Sequence, residues 1–123
     1  MNIGIFFIIL CVLLTVYSQI IIKNEIMNLG IMPIQMKLLL PYLLKAFTNV
    51  KILSGIFSAF LVMICWFGAV SRFDLGYAYP FMSLTFPLVV IFSIFLFHEP
   101  FYWAKIMGIS LILLGLLIIS IKI

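Results

Sequence analysis

Charged residues punctuate this chain at wide intervals and leave long apolar runs between them. Residues 1–22, 52–71 and 75–97 carry none, and residues 106–121 lie uncharged between Lys105 and Lys122. A helix needs about 20 apolar residues, at about 1.5 Å each, to cross a hydrocarbon core of about 30 Å. The pattern predicts four spanning helices, at about 3–22, 50–70, 76–97 and 102–121. The last can begin near Phe101, because Lys105 is able to lay its stem along the helix and lift its ammonium toward the headgroups. The breaks at 71–74 and 98–100 are tight, so the second, third and fourth spans form antiparallel hairpins. The expected fold class is all-α integral membrane, in a single transmembrane domain over residues 1–123.

The connector, residues 23–49, is long and holds Pro33 and Pro41. Lys37, Pro41, Lys45 and Thr48 recur on one helical face of a segment otherwise filled with Leu, Tyr and Phe. That pattern fits either an amphipathic helix lying in the interface or an early start of the second span at Pro41. The first span reads as a retained helix and not as a leader. Its apolar run is too long, no basic stretch precedes it, and no small-x-small cleavage site follows.

Composition excludes most soluble alternatives. Hydrophobic residues make up 67% of the chain and charged ones 8%, against roughly 45–50% and 25% in soluble domains. Seven basic and three acidic side chains cannot coat a globule of this size. A soluble enzyme, a nucleic-acid module and a disordered segment are therefore disfavoured. The net charge of +4 comes from singly scattered Lys and Arg with no basic stripe for nucleic acid, and it suits side chains at headgroup level. Lys23, Lys37, Lys45, Lys51 and Lys105 lie on one side of the predicted spans, and Arg72 and Lys122 on the other. That bias puts the connector in the cytoplasm and both termini outside. Cys11 and Cys65, with no CxxC spacing and no partnering His, read as small apolar side chains.

No Asp, Glu, Lys or Arg stands in the middle of a span, and Glu25, Asp74 and Glu99 all sit near span ends. A mid-membrane carboxylate is the usual device for proton coupling, so that mechanism is disfavoured here. Polar uncharged residues do gather on faces. Cys11, Thr15, Ser18, Gln19 and Lys23 recur at helical spacing in the first span. One reading is helix packing by small polar residues with Lys23 at the interface. The other is a polar groove whose mouth holds a cation for an anionic headgroup. The third span carries Gly76, Tyr79, Pro80, Ser83 and Pro87, and two prolines free backbone carbonyls, which suits a helix lining a pathway. Gly108 and Gly115 are two turns apart on the fourth span and allow close helix approach. His98 reads as a turn residue, with no second His for a metal or a catalytic dyad. Nucleophile–base pairs, acid pairs and phosphate loops are absent from the sequence, so no enzyme activity and no cofactor are expected.

The stretch LGYAYPFMSLTFPLVVIFSIFLFHEPFYWAKIMGISLILLGLLIIS, residues 75–120, resembles the second half of four-helix members of the drug/metabolite transporter superfamily, which includes EamA-like and small multidrug resistance-like proteins. AYPFMSLTF followed by HEP is especially similar to the aminoarabinose–phosphoundecaprenol flippase subunits. SQIIIKN at residues 18–24 resembles their first helix and ICWF at 64–67 their second. The likeness covers about three spans and leaves the connector unmatched. The small multidrug resistance branch carries a Glu eight residues before a Lys at the end of its first helix, and Thr15 occupies that place here. The resemblance implies a subunit that flips a polyprenyl-phosphate-linked sugar across the bacterial inner membrane. Lys23 and Gln19 would meet the phosphate, Thr15 and Ser18 would line the groove, and Tyr77, Tyr79, Pro80 and Ser83 would face the sugar. Glu99 would meet an amino group. The expected partners are the lipid-linked sugar phosphate, membrane lipids, and a second copy or a paralogous four-helix subunit contacted through Gly108 and Gly115. Two alternatives stand beside this: a small-metabolite or cation exporter of the same superfamily, and a non-transporting interaction subunit.

Overall fold

The structure, a computed structural model, describes residues 2–121. Among these residues the regular structure is helical throughout: α1 (Asn2–Leu29), α2 (Met36–Thr48), α3 (Val50–Val70), α4 (Leu75–Phe81), a 3₁₀ turn (Met82–Leu84), α5 (Thr85–Phe97) and α6 (Trp103–Ser120). Four helical stretches are long and apolar enough to cross a membrane, α4 through α5 counting as one, and the chain is a multi-pass membrane protein.

α1 runs about two turns past its expected end. The charges at Lys23 and Glu25 end the hydrocarbon-compatible part of the helix without ending the helix. It stops at Gly30, whose φ of +89 needs no Cβ, and whose N–H donates to the Ile26 carbonyl at 3.0 Å. The connector folds into a separate helix, α2. Asn49, extended at φ −76 and ψ 121, breaks the chain between α2 and α3. Its Oδ1 accepts from the Lys51 and Ile52 N–H groups at 2.8 and 3.4 Å, an N-cap that starts α3 afresh. The Tyr42 hydroxyl donates to the Gly30 carbonyl at 2.9 Å and ties α2 to the end of α1.

α1 and α3 form the tightest pair. Gly55 lies against Ile21 and Ile22, and Gly68 against the Phe7 ring. The Cys11 thiol reaches the Val62 carbonyl at 3.6 Å, and the Ser58 hydroxyl donates to the Leu14 carbonyl at 2.9 Å. Small residues thus let the backbones close in, and the Cys11 thiol and the Ser58 hydroxyl each find a carbonyl. Ile8, Ala69 and Ala78 form the buried centre of the adjoining end, ringed by Phe7, Trp66, Phe73 and Phe81.

The third span is bent where a single helix is expected. Pro80 and Pro87 lack the N–H that would bond one turn back, and the segment between them tightens into the 3₁₀ turn. Ser83 Oγ donates to the Pro80 carbonyl at 2.6 Å and Thr85 Oγ1 to the Met82 carbonyl at 2.9 Å, satisfying carbonyls at the bend. α5 packs on α1, while α6 leans on α4 and the 3₁₀ turn and turns most of its surface outward.

Candidate functional site

The polar face of the first span divides in two. Cys11 and Ile22 touch α3 at Val62 and Gly55, Thr15 and Ser18 share their helical face, and Ser18 is only 3% exposed. Packing is therefore the role of that half. Gln19 and Lys23 turn the other way, into a cleft of about 430 Å³ between α1, α5 and the start of α6. Its far wall carries Ser93, Glu99 and Lys105. Lys23 is not at the helix end, as its place beside the connector suggests, but six residues inside α1.

Local geometry explains how Glu99 and Lys105 reach this cleft. α5 ends on His98, a non-glycine residue at φ 52 and ψ 36. That left-handed turn lets the Glu99 N–H fold back onto the Ser93 carbonyl at 3.3 Å, so the chain reverses sharply and sets Glu99 at the cleft rim. Lys105 Nζ donates to the Pro100 carbonyl at 2.9 Å and stands 5.3 Å from the Tyr102 ring centroid. A carbonyl and an aromatic face thus hold the second ammonium in place. Among the described residues, Glu99 forms no ion pair within 4 Å with either lysine. The cleft therefore offers two separate cations, one carboxylate, an amide and the hydroxyl oxygen of Ser93, whose hydrogen goes to the Val90 carbonyl at 2.9 Å. That set complements a ligand bearing an anion and an ammonium group, and lies within the 300–1,000 Å³ expected of small-ligand sites, at about its lower end.

The remaining predicted residues lie elsewhere. Tyr77 is near the opposite end of the third span, in ring contact with Phe73 and Phe81. It lines an apolar cleft of about 670 Å³ between α1, the bent span and α6. Tyr79 is 65% exposed and meets Trp66 edge-on at 5.9 Å, so the two tyrosines face different ways. Pro80 and Ser83 are joined to each other at the bend. At about 1.5 Å per residue, Tyr77 and the Phe97 end of the span, beside which Glu99 stands, are separated by about 30 Å of helix, too far for one sugar to touch both. Gly108 and Gly115 have open space where a Cβ would stand. They make no close helix contact within the chain and remain available to another one.

Ser93 escapes the sequence reading, and Lys105 enters it as a headgroup anchor that could take the phosphate in place of Lys23. Its signal is the tight 98–100 turn, which places residues on both sides of it at the Lys23 end. A second polar group also emerges there. The Glu25 carboxylate, 8% exposed, accepts from Asn49 Nδ2 at 3.0 Å and pairs with Lys51 at 3.5 Å. It pins α1 to the capped start of α3 and stands apart from the cleft-lining residues.

Comparison with known proteins gives the family. The chain is similar to probable 4-amino-4-deoxy-L-arabinose-phosphoundecaprenol flippase subunits ArnF. It is 38% identical over 73 residues to that of Klebsiella pneumoniae (strain 342), covering 58% of each chain. It is 43% identical over 68 residues to that of Shewanella sediminis (strain HAW-EB3), covering 54% of this chain and 47% of the relative. The corresponding protein of Pseudomonas fluorescens (strain Pf0-1) is 37% identical over 71 residues, covering 56% and 53%. The chain thus spans about half the length of the curated relatives it matches. No solved structure is significantly similar. A family profile, however, matches residues 2–121, every span and the connector included. Four apolar helices, a proline-bent third span and that full-length match lead to one assignment: the chain belongs to the EamA-like transporter family.

Proposed function

We propose that this chain is a transporter subunit that moves a polyprenyl-phosphate-linked sugar across the bacterial inner membrane. The observation that carries the proposal is the cleft holding Gln19, Lys23, Ser93, Glu99 and Lys105. Two ammonium groups suit a phosphate, and a carboxylate not neutralised by either suits an amino group on the sugar. The relatives' name joins those two features, an amino sugar and a phosphate-linked polyprenol. The proposed work is translocation and requires no covalent chemistry. Four helices enclose little volume, and transporters commonly place their sites between two repeats. A second four-helix subunit, identical or paralogous, would complete the path, meeting this one at Gly108 and Gly115.

The test is lipid binding and flipping in vesicles with an amino-sugar phosphopolyprenol. Lys23→Gln removes the charge with little change in length. It should weaken binding by about 1–3 kcal/mol, the range for a charge-assisted hydrogen bond. Lys23→Arg should retain much of the activity because the charge remains. Lys37→Gln, on exposed α2, is the control. Equal and small effects at Lys23 and Lys37 would refute the phosphate assignment. Transport of a soluble cation in place of the lipid would favour the exporter reading.

A further inference from the structure

The apolar cleft has a polar mouth of its own, at the end of the molecule opposite Lys23. Tyr77 lines both the 670 Å³ cleft and an adjoining hollow of about 490 Å³ that holds Arg72, Asp74 and Gly76. The Arg72 guanidinium is fixed in place. It stands 5.3 Å from the Phe7 ring centroid, and its Nη1 donates to the Gly68 carbonyl at 3.0 Å and to Ser71 Oγ at 3.2 Å. Among the described residues no ion pair within 4 Å joins Arg72 to Asp74. This mouth therefore repeats the chemistry of the first: a cation and a carboxylate that do not neutralise each other.

The two mouths lie on one seam. Along α1, Ile9 and Leu13 line the apolar cleft and Gln19 and Lys23 the polar one, on a continuous helical stripe. Across from them Leu88 lines the first and Val89 the second. Phe7, beneath Arg72, and Lys23 are separated by about 24 Å of helix at 1.5 Å per residue. That is most of a hydrocarbon core about 30 Å thick, so a single headgroup cannot occupy both places.

We propose that the hollow at Arg72 is a second headgroup station, which takes the phosphate of an anionic membrane lipid while its hydrocarbon chain lies in the apolar cleft beside Ile9, Leu13 and Leu84. The proposal rests on reading the chain as a lipid-phosphate transporter, and it gives that transporter matching sites at its two membrane faces. A lipid phosphate is the occupant that fits both parts, its charge meeting the Arg72 guanidinium in the hollow and its chain lying in the adjoining apolar cleft, where a neutral chain would fit only one.

The experiment uses the full chain in phosphatidylcholine vesicles with dodecyl phosphate carrying a diazirine on its chain, and crosslinks are mapped by peptide mass spectrometry. Residues 9–13 and 84–88 should be labelled about tenfold more by this probe than by the alcohol of the same chain, the preference that a single charge-assisted contact provides. Arg72→Gln should remove that preference, and Arg72→Lys should keep most of it. Gly76→Trp is a second, independent block. A Cβ at Gly76 meets nothing within 4 Å, so the larger side chain should fill the hollow, leave the fold intact and lower labelling about tenfold. Equal labelling by phosphate and alcohol overturns the proposal, as does labelling unaffected by both Arg72→Gln and Gly76→Trp. Lys23→Gln separates this station from the first. Loss of phosphate-dependent labelling at 89–93 with labelling at 9–13 retained supports two stations, while joint loss at both places counts against them. Phosphate-dependent labelling confined to 9–13 in the unaltered chain upholds the Arg72 station and defeats the Lys23 site.

Discussion

Gly68→Ala is the sharpest probe of the packing described here. A Cβ at Gly68 would stand 2.8, 2.8 and 2.9 Å from three atoms of the Phe7 ring, where ordinary contact begins at 3.4 Å. The ring must retreat by about 0.6 Å, and it cannot swing aside, because one of those atoms is Cγ at its root and Arg72 stands over its face. Overpacking of this kind costs about 1–3 kcal/mol, partly offset by the roughly 0.5–1 kcal/mol by which Ala favours a helix over Gly. At Gly108 a Cβ meets nothing within 4 Å, so Gly108→Ala should show only the favourable part. The two variants should thus differ by about 1–3 kcal/mol in the stability of the isolated chain, with opposite signs. Helical circular dichroism during titration from dodecylmaltoside into dodecyl sulfate measures the unfolding midpoint. A Gly68→Ala midpoint equal to or above that of Gly108→Ala would refute the close α1–α3 approach.

Gly115→Leu should abolish crosslinked dimers in native membranes without lowering the monomer's midpoint, since a Cβ there meets nothing within 4 Å of its own chain and leaving glycine favours the helix; dimers that persist would move the contact elsewhere. Glu25→Ala should lower the midpoint more than Lys51→Ala, because Glu25 is buried and holds Asn49 at the start of α3, whereas Lys51 is 67% exposed. Equal losses would show that the ion pair, and not the Asn49 bond, matters. His98→Gly should be neutral or stabilising and His98→Val destabilising, as a left-handed conformation costs an L-residue about 1–2 kcal/mol; thermal melts in detergent would rank the three. With Cys11 and Cys65 replaced, a cysteine at position 37 should be labelled from the cytoplasm and one at position 74 from outside, and the reverse would show that loop charge does not set orientation.

The spans were legible because a bilayer asks little of a sequence beyond length and absence of charge, and residues 52–71 and 75–97 satisfy both without ambiguity. Helix ends were less so. Charge marks where the hydrocarbon ends, whereas a helix ends where its backbone is capped, which is why α1 continues past Lys23 to Gly30. For the same reason α2 stays separate: the Asn49 cap is a local backbone event that the hydropathy pattern does not register. Gln19, Lys23 and Glu99 could be expected to line one cleft because the end of the first apolar run and the tight 98–100 turn map to the same membrane face. Thr15 and Ser18 share their spacing with Gln19 but not their direction. A stripe of polar residues about 100° wide can face two neighbours at once, and only the positions of α3 and α5 reveal which residue faces which. Tyr77 and Tyr79, two apart on a helix, point to different sides for the same reason.

The uneven packing also bears on biogenesis. α1 and α3 interlock through Gly55 and Gly68, and both leave the ribosome early. α6 follows them and joins a body in which α4 and the 3₁₀ turn are its main contacts. In lipid, one leucine gains little by exchanging an acyl chain for another leucine, so α6 inserts on its own hydropathy and docks afterwards. While it docks, the chain is an interlocked α1–α3 body with α6 loosely moored to it. During that interval Gly108 and Gly115 are open on every side, which makes synthesis itself a window for pairing with a partner subunit or for surveillance by a membrane protease.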